Sequence, residues 1–118
     1  MNSYRELKVW QMACDLVIEI YKLTNLFPKN EQYGITSQMR RAAISIPSNI
    51  AEGFARRTMP DNRNFVRIAF ASGSELETQV YIAKKLELAK EQDFLKVGNL
   101  LDQIMKMLNK LSQSLTSG

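Results

Sequence analysis

An all-α fold, an antiparallel up-down-up-down four-helix bundle, is what this sequence predicts. Three observations carry the expectation. Apolar residues recur at three- and four-residue steps in four separate stretches. The stretches are joined by short segments with turn and cap residues: Phe27-Pro28 to Tyr33-Gly34, Thr58-Met59-Pro60-Asp61, and Glu91-Gln92-Asp93. No segment alternates with the two-residue period of a strand. At 118 residues and 45% hydrophobic composition, the chain fits one domain, residues 1–118, with a real core.

The first helix is expected from about Ser3 or Leu7 to Leu26. Leu7, Trp10, Cys14, Val17, Tyr21 and Thr24 step along one stripe, widened by Ala13, Leu16 and Ile20. Phe27-Pro28 ends it, because the residue before proline avoids the helical region. Thr36 or Ser37 offers an N-cap oxygen for the second helix.

The second helix, about Ile35 to Ala55, contains QMRRAAISIPSNIAEGFARR, the stretch around which the chain is organised. Met39, Ala42, Ala43, Ile46, Ile50 and Phe54 form an apolar face. Arg41, Ser45, Ser48 and Glu52 step along a second, polar stripe beside Asn49. Pro47 interrupts the run and costs about 3 kcal/mol in a regular helix interior. Two readings follow: one kinked helix, or a helix that ends at Ile46 and restarts with Pro47 in its first turn. The apolar phase passes through Pro47 unbroken, which favours the kinked helix, with Ser45 and Ser48 serving the backbone groups that Pro47 frees. Arg41 and Glu52 lie too far apart to pair, so each is expected to find a partner on a neighbouring helix, Glu75 or Glu77 for Arg41.

Thr58 with Asp61 three residues on, and Pro60 between, predicts the start of a third helix running to about Ala89. Its expected inner stripe is Phe65, Ile68, Ala69, Ser72, Leu76, Val80, Ala83 and Leu86 or Glu87. Gly73, within Ala71-Ser72-Gly73-Ser74, costs about 1 kcal/mol against alanine. Either another helix approaches there, near Ala42, Ala43 or Ser45, or the helix breaks. Asp93 is placed to cap the fourth helix. Its seam is Phe94, Val97, Leu101, Ile104, Leu108, Leu111 and Leu115, with Thr116, Ser117 and Gly118 as a fraying end. Leu100, Met105 and Met107 lie off that seam, which suggests a second packing partner.

The formal net charge is +4, and all of it lies in one segment. From Arg40 to Arg67, six arginines face only Glu52 and Asp61; elsewhere cations and carboxylates balance. Arginine is the better bidentate partner for phosphate. There is no histidine, no glycine-rich phosphate loop and one cysteine, so the chain is read as non-catalytic, without metal or cofactor, and without a disulfide framework. Cys14 reads as a small core residue. Glu52, Glu75 and Glu77 read as ion-pair members rather than metal ligands. No run of about 18 apolar residues occurs, so no membrane span is expected, and the cytoplasm of a bacterium is the expected location.

The run RRAAISIPSNIAEGFAR, with LKVWQMACDLVIEIYKLTNLFP before it and ASGSELETQVYIAKKLELA after it, resembles the 23S ribosomal RNA intervening-sequence proteins. It is also similar to the accessory variability protein of diversity-generating retroelements. The match spans about residues 3–110. It implies a four-helix protomer, often assembled into a five-fold ring, with a basic surface and nucleic-acid binding.

The resulting expectation is an oligomeric protein that contacts RNA or DNA backbone without reading sequence, through Arg40, Arg56, Arg57, Arg63 and Arg67. Arg41, Ser45, Ser48, Asn49, Glu52 and Glu75 form the structural polar cluster. The other reading is an assembly or adaptor protein whose partner is a polypeptide, such as a reverse transcriptase encoded nearby.

Overall fold

A computed structural model of the chain describes residues 3–117. Four helices carry the fold: α1 (Lys8–Thr24), α2 (Ile35–Phe54), α3 (Met59–Lys85) and α4 (Leu95–Ser117). Short 3-10 turns at Tyr4–Glu6, Lys29–Glu31 and Glu91–Phe94 lead into α1, α2 and α4. Each helix packs against its neighbour in the chain, and α1 closes the ring against α4. The result is an antiparallel bundle of 45 × 23 × 21 Å, with the α2–α3 hairpin as its most extensive interface.

The core is a stack of aliphatic layers. Leu16, Ile20, Met39, Ile46, Leu76, Ile104 and Leu108 are fully buried. On α1 the buried residues are Val9, Ala13, Leu16, Ile20, Leu23 and Thr24: Ala13, Leu16 and Ile20, expected to widen the stripe, are its centre, one residue out of phase with the Leu7–Trp10–Cys14–Val17 line. Trp10, Cys14 and Val17 are half-buried and Tyr21 is exposed. The two lines lie side by side on a helix, and apolar residues on both make them hard to rank from spacing alone. On α3 the stripe is led by Val66, with Ala69, Ser72, Gly73, Leu76, Val80 and Ala83. Phe65 is half-buried and Ile68 is exposed. The α4 seam holds as expected from Phe94 to Leu108, with Leu111 and Leu115 packed against its edge.

Pro47 lies buried inside one continuous α2, so the single-helix reading is the correct one. The serines do not serve the freed backbone. The Ser45 hydroxyl lies 2.8 Å from that of Ser72, and Asn49 Nδ2 donates to both Oγ (2.9 Å) and O (2.8 Å) of Ser45. α2 begins behind Gly34, which supplies no side-chain cap, and Thr36 is buried instead of capping.

α3 is also continuous through Gly73. The neighbour that uses the missing side chain is Met105 of α4, not α2: a Cβ at Gly73 would collide with the Met105 sulfur. α3 ends at Lys85, four residues before the expected boundary. Glu87 adopts φ 54°, Leu88 N donates to Ala83 O at 3.1 Å and Glu87 N to Lys84 O at 3.0 Å. This is the Schellman pattern, with glutamate where glycine is usual. Asp93 Oδ2 accepts from Lys90 N at 3.1 Å and so caps the turn before α4. α4 continues through Ser117; Gly118 lies outside the described residues. No helix among the described residues is long and apolar enough to cross a membrane.

Candidate nucleic-acid interface

The α2–α3 turn is built by small and capping residues. Gly53 is buried, and a Cβ there would stand 2.9 Å from Phe65 Cβ and 3.3 Å from Asn62 O. Only glycine lets α3 start this close to the end of α2. Arg56 N returns to Gly53 O at 3.1 Å. Thr58 Oγ1 accepts from Asp61 N at 3.3 Å, with Pro60 in the first turn of α3. The Asn62 side chain faces the carbonyl oxygens of Gly53 and Arg56. With its amide nitrogen toward them it donates to both, at 3.1 Å for Arg56. These hydrogen bonds satisfy carbonyls that a helix end otherwise leaves open.

This turn brings Arg56, Arg57, Arg63 and Arg67 to one end of the bundle, as the sequence led us to expect. Their environments differ. Arg56 Nη2 pairs with Glu52 Oε1 at 2.9 Å, and its guanidinium lies 4.7 Å above the Phe65 ring. With the paired side chains 44% and 53% exposed, the ion pair is a surface one and weak. Arg57 and Arg67 are exposed and make no ion pair among the described residues. Arg63 is half-buried, and its Nε is shut away from solvent without an acceptor. Three of the four guanidiniums thus lack a carboxylate.

Arg40 does not join them. Fourteen residues of helix, roughly 21 Å, separate it from Phe54 at the end of α2, next to the turn that carries Arg56. Its Nε donates to Thr24 Oγ1 at 2.9 Å and its Nη2 to Asn25 Oδ1 at 3.0 Å, and it covers the Tyr21 ring at 4.4 Å. Arg40 therefore ties α2 to the end of α1, a structural task that its place in the arginine-rich segment did not disclose.

The polar stripe of α2 also divides. Ser45 and Asn49 meet Ser72 across the helix interface. Arg41 and Ser48 are exposed, and Arg41 has no ion pair or hydrogen bond among the described residues. Glu52 finds Arg56 four residues on, just past the end of its own helix, rather than a partner on another helix. Glu75 Oε2 accepts from Gln79 Nε2 at 3.2 Å instead of meeting Arg41. An i,i+4 partner needs no interhelical reach, and that local solution wins at Glu52.

Sequence reasoning missed what the antiparallel topology adds. The start of α1 lies at the same end as the α2–α3 turn, and the Tyr4–Glu6 turn packs against α2. Arg5 and Lys8, both exposed, extend the cationic surface there. Gln11 Nε2 fixes that turn through Arg5 O at 2.7 Å, and Tyr4 meets Trp10 edge-on with centroids 5.2 Å apart. Phe54, assigned by spacing to the core, is 39% exposed.

A concavity lies elsewhere, at the α3–α4 turn, lined by Tyr81, Lys84, Lys85, Lys90, Phe94 and the carboxylates Glu87 and Glu91 among others. Lys84 and Lys85 belong to the last turn of α3, where they complement the negative end of the helix dipole. Among the described residues no group of three histidine, cysteine or carboxylate side chains is placed to hold a metal. Burial, and after it the neighbouring Asp15 carboxylate, raises the Cys14 thiol above its usual pKa, which leaves it protonated and a poor nucleophile near neutral pH.

The sequence matches the family described as 23S rRNA-intervening sequence protein over residues 5–110. A crystal structure of a protein with unknown function from the S23 ribosomal protein family of Bacteroides thetaiotaomicron is similar, with a TM-score of 0.81 and 23% identity. The alignment covers 88% of this chain and 97% of that one. At that identity the likeness speaks for the fold alone. No curated protein matches the chain.

Proposed function

The chain belongs to the 23S rRNA-intervening sequence protein family, and on that premise we propose that it is a non-catalytic, oligomeric nucleic-acid-binding protein of the bacterial cytoplasm. It grips the phosphate backbone without sequence reading. The observation that carries this reading is the α2–α3 turn, where Arg57, Arg63 and Arg67 stand without carboxylate partners beside Arg56. Unmatched guanidiniums at one place suit phosphate, which each can grip with two parallel N–H donors. Arg40 is left out of the site because its Nε and Nη2 are already engaged by Thr24 and Asn25 at the end of α1.

One protomer can hold few phosphates. We propose that a ring of five copies multiplies them, as linked sites raise avidity without new chemistry. Exposed apolar side chains on α1 and around the start of α4, Ile18 at 55% and Leu95 at 59%, support a further packing partner. Two measurements test the reading. Light scattering on the purified protein gives a mass several times that of the 13.5 kDa chain if it assembles, and the monomer mass if it does not. Titration of unrelated DNA and RNA sequences at rising salt gives similar affinities that fall steeply together. A single preferred sequence, or a protein partner retained at high salt while nucleic acid is ignored, contradicts it.

A further inference from the structure

The arginines of the α2–α3 turn do not stand alone. Within residues 54–68, Phe54 (39% exposed), Met59 (47%) and Ile68 (40%) reach the surface among Arg56, Arg57, Arg63 and Arg67. A single exposed apolar residue is ordinary. Three of them interleaved with four arginines are a different surface, one that offers charge together with flat or apolar area. The two aromatic rings here are used differently. Phe65 is half-buried and already carries the Arg56 guanidinium at 4.7 Å. Phe54 carries no ring or cation partner among the described residues. It is the last residue of α2, one residue ahead of Ala55 and the Arg56-Arg57 pair. The helix line that leads to it, Ala43, Pro47 and Ile50, is buried, so the ring lies where that line runs out of core.

We infer that the nucleic acid taken by this surface is single-stranded, with one base stacked on Phe54 while the arginines hold the phosphates on either side. The inference rests on the nucleic-acid reading above and narrows it. Every base has a π-face, so stacking tolerates all sequences, in keeping with backbone recognition. A paired base inside a duplex hides its faces and cannot use the ring. Charge alone works in the opposite direction: a duplex presents one phosphate per about 1.7 Å of axis against about 3.4 Å for one strand. A surface made only of arginines therefore prefers duplex, and a preference for the single strand marks the aromatic contribution.

The test compares a 20-nucleotide oligothymidylate with a 20-base-pair duplex, both labelled, bound by the assembled full-length protein at one low salt concentration and then across a salt series. The wild type is expected to bind the single strand more tightly. Phe54→Ala is expected to lose about tenfold for the single strand, the size of one stacked base, and less than threefold for the duplex, with the salt slope unchanged. Phe54→Leu, which keeps apolar bulk but has no π-face, should lose as much as Phe54→Ala, and Phe54→Trp should bind at least as well as wild type. Melting temperatures of the three variants separate a packing defect from a stacking defect, because the leucine and tryptophan variants keep a large side chain at the site. If wild type prefers duplex, or if Phe54→Leu binds the single strand like wild type, this inference is overturned while the phosphate-binding reading stands. If neither polymer binds at low salt, both fall.

Discussion

Ser45 and Ser72 place their hydroxyl oxygens 2.8 Å apart across the α2–α3 interface, and Asn49 closes on the same Ser45 hydroxyl at 2.9 Å. Ser72 is buried, and so short a side chain meets its partner only where two helices run close. The pair therefore helps fix the register of the hairpin that presents the arginines. Ser72→Ala is expected to destabilise the protein by about 1 kcal/mol, the net worth of one hydrogen bond. The double change Ser45→Ala with Ser72→Ala should cost less than the two single changes added, because each single change already removes the one hydrogen bond that the pair shares. Urea unfolding of the three variants measures this.

Arg41 and Glu52 are both exposed, and the only ion pair between them and the described residues is the surface one from Glu52 to Arg56. Arg41→Ala and Glu52→Ala should each change stability by less than about 1 kcal/mol, far below the roughly 3–5 kcal/mol of a broken buried pair. Thermal melts within a few degrees of wild type are the expected result. A large loss in either variant means that the polar stripe is buried against something this protomer does not contain.

Two helical glycines, Gly53 in the last turn of α2 and Gly73 in the middle of α3, respond differently to alanine. At Gly53 the new methyl group meets Phe65 Cβ at 2.9 Å and the backbone oxygen of Asn62 at 3.3 Å. Backbone cannot step aside cheaply, so Gly53→Ala should destabilise by about 1–3 kcal/mol even though alanine is the better helix former. At Gly73 the obstacle is the thioether of Met105, a flexible side chain that can turn away. Gly73→Ala should therefore be the milder change, and milder still when combined with Met105→Ala. Chemical denaturation of Gly53→Ala, Gly73→Ala, Met105→Ala and the Gly73→Ala, Met105→Ala double variant orders them.

Glu87 holds φ 54° at the C-terminus of α3, a conformation that costs a residue with a Cβ about 1 kcal/mol and costs glycine almost nothing. Glu87→Gly should stabilise the protein by up to about that amount, read as a rise of a few degrees in Tm. The same position shows why the end of α3 was misplaced from sequence. Helix stops are marked by glycine or asparagine, and neither occurs here. The pattern of Lys84 to Ala89 carries on with good helix formers while the backbone turns.

Elsewhere the fold followed what the residues themselves impose. Four amphipathic periods and the Thr58-Pro60-Asp61 start are local signals, and they placed all four helices. Continuity through Pro47 was legible because the apolar phase is unbroken there. Side-chain partners were not legible. The identity of the helix facing Gly73, and the capture of Arg40 by Thr24 and Asn25, depend on how two helices slide past each other, which no single-helix pattern encodes. Arg5 and Lys8 joined the arginine end only through the antiparallel return of the chain. Phe54 continued the apolar phase beyond the point where the core ends.

The measurement that bears most directly on the central claim is the salt dependence of binding when the four arginines of the α2–α3 turn are removed together. The variant changes Arg56, Arg57, Arg63 and Arg67 to glutamine, with circular dichroism and light scattering used to establish that fold and assembly are kept. Wild type should bind nucleic acid at low salt and lose affinity steeply toward physiological salt. In the variant the slope of log K against log salt should fall by close to one unit for each phosphate that is no longer neutralised, approaching four per protomer engaged. A folded, assembled variant that binds with the wild-type slope, or a wild type that binds no polymer at low salt, would contradict phosphate binding at this turn.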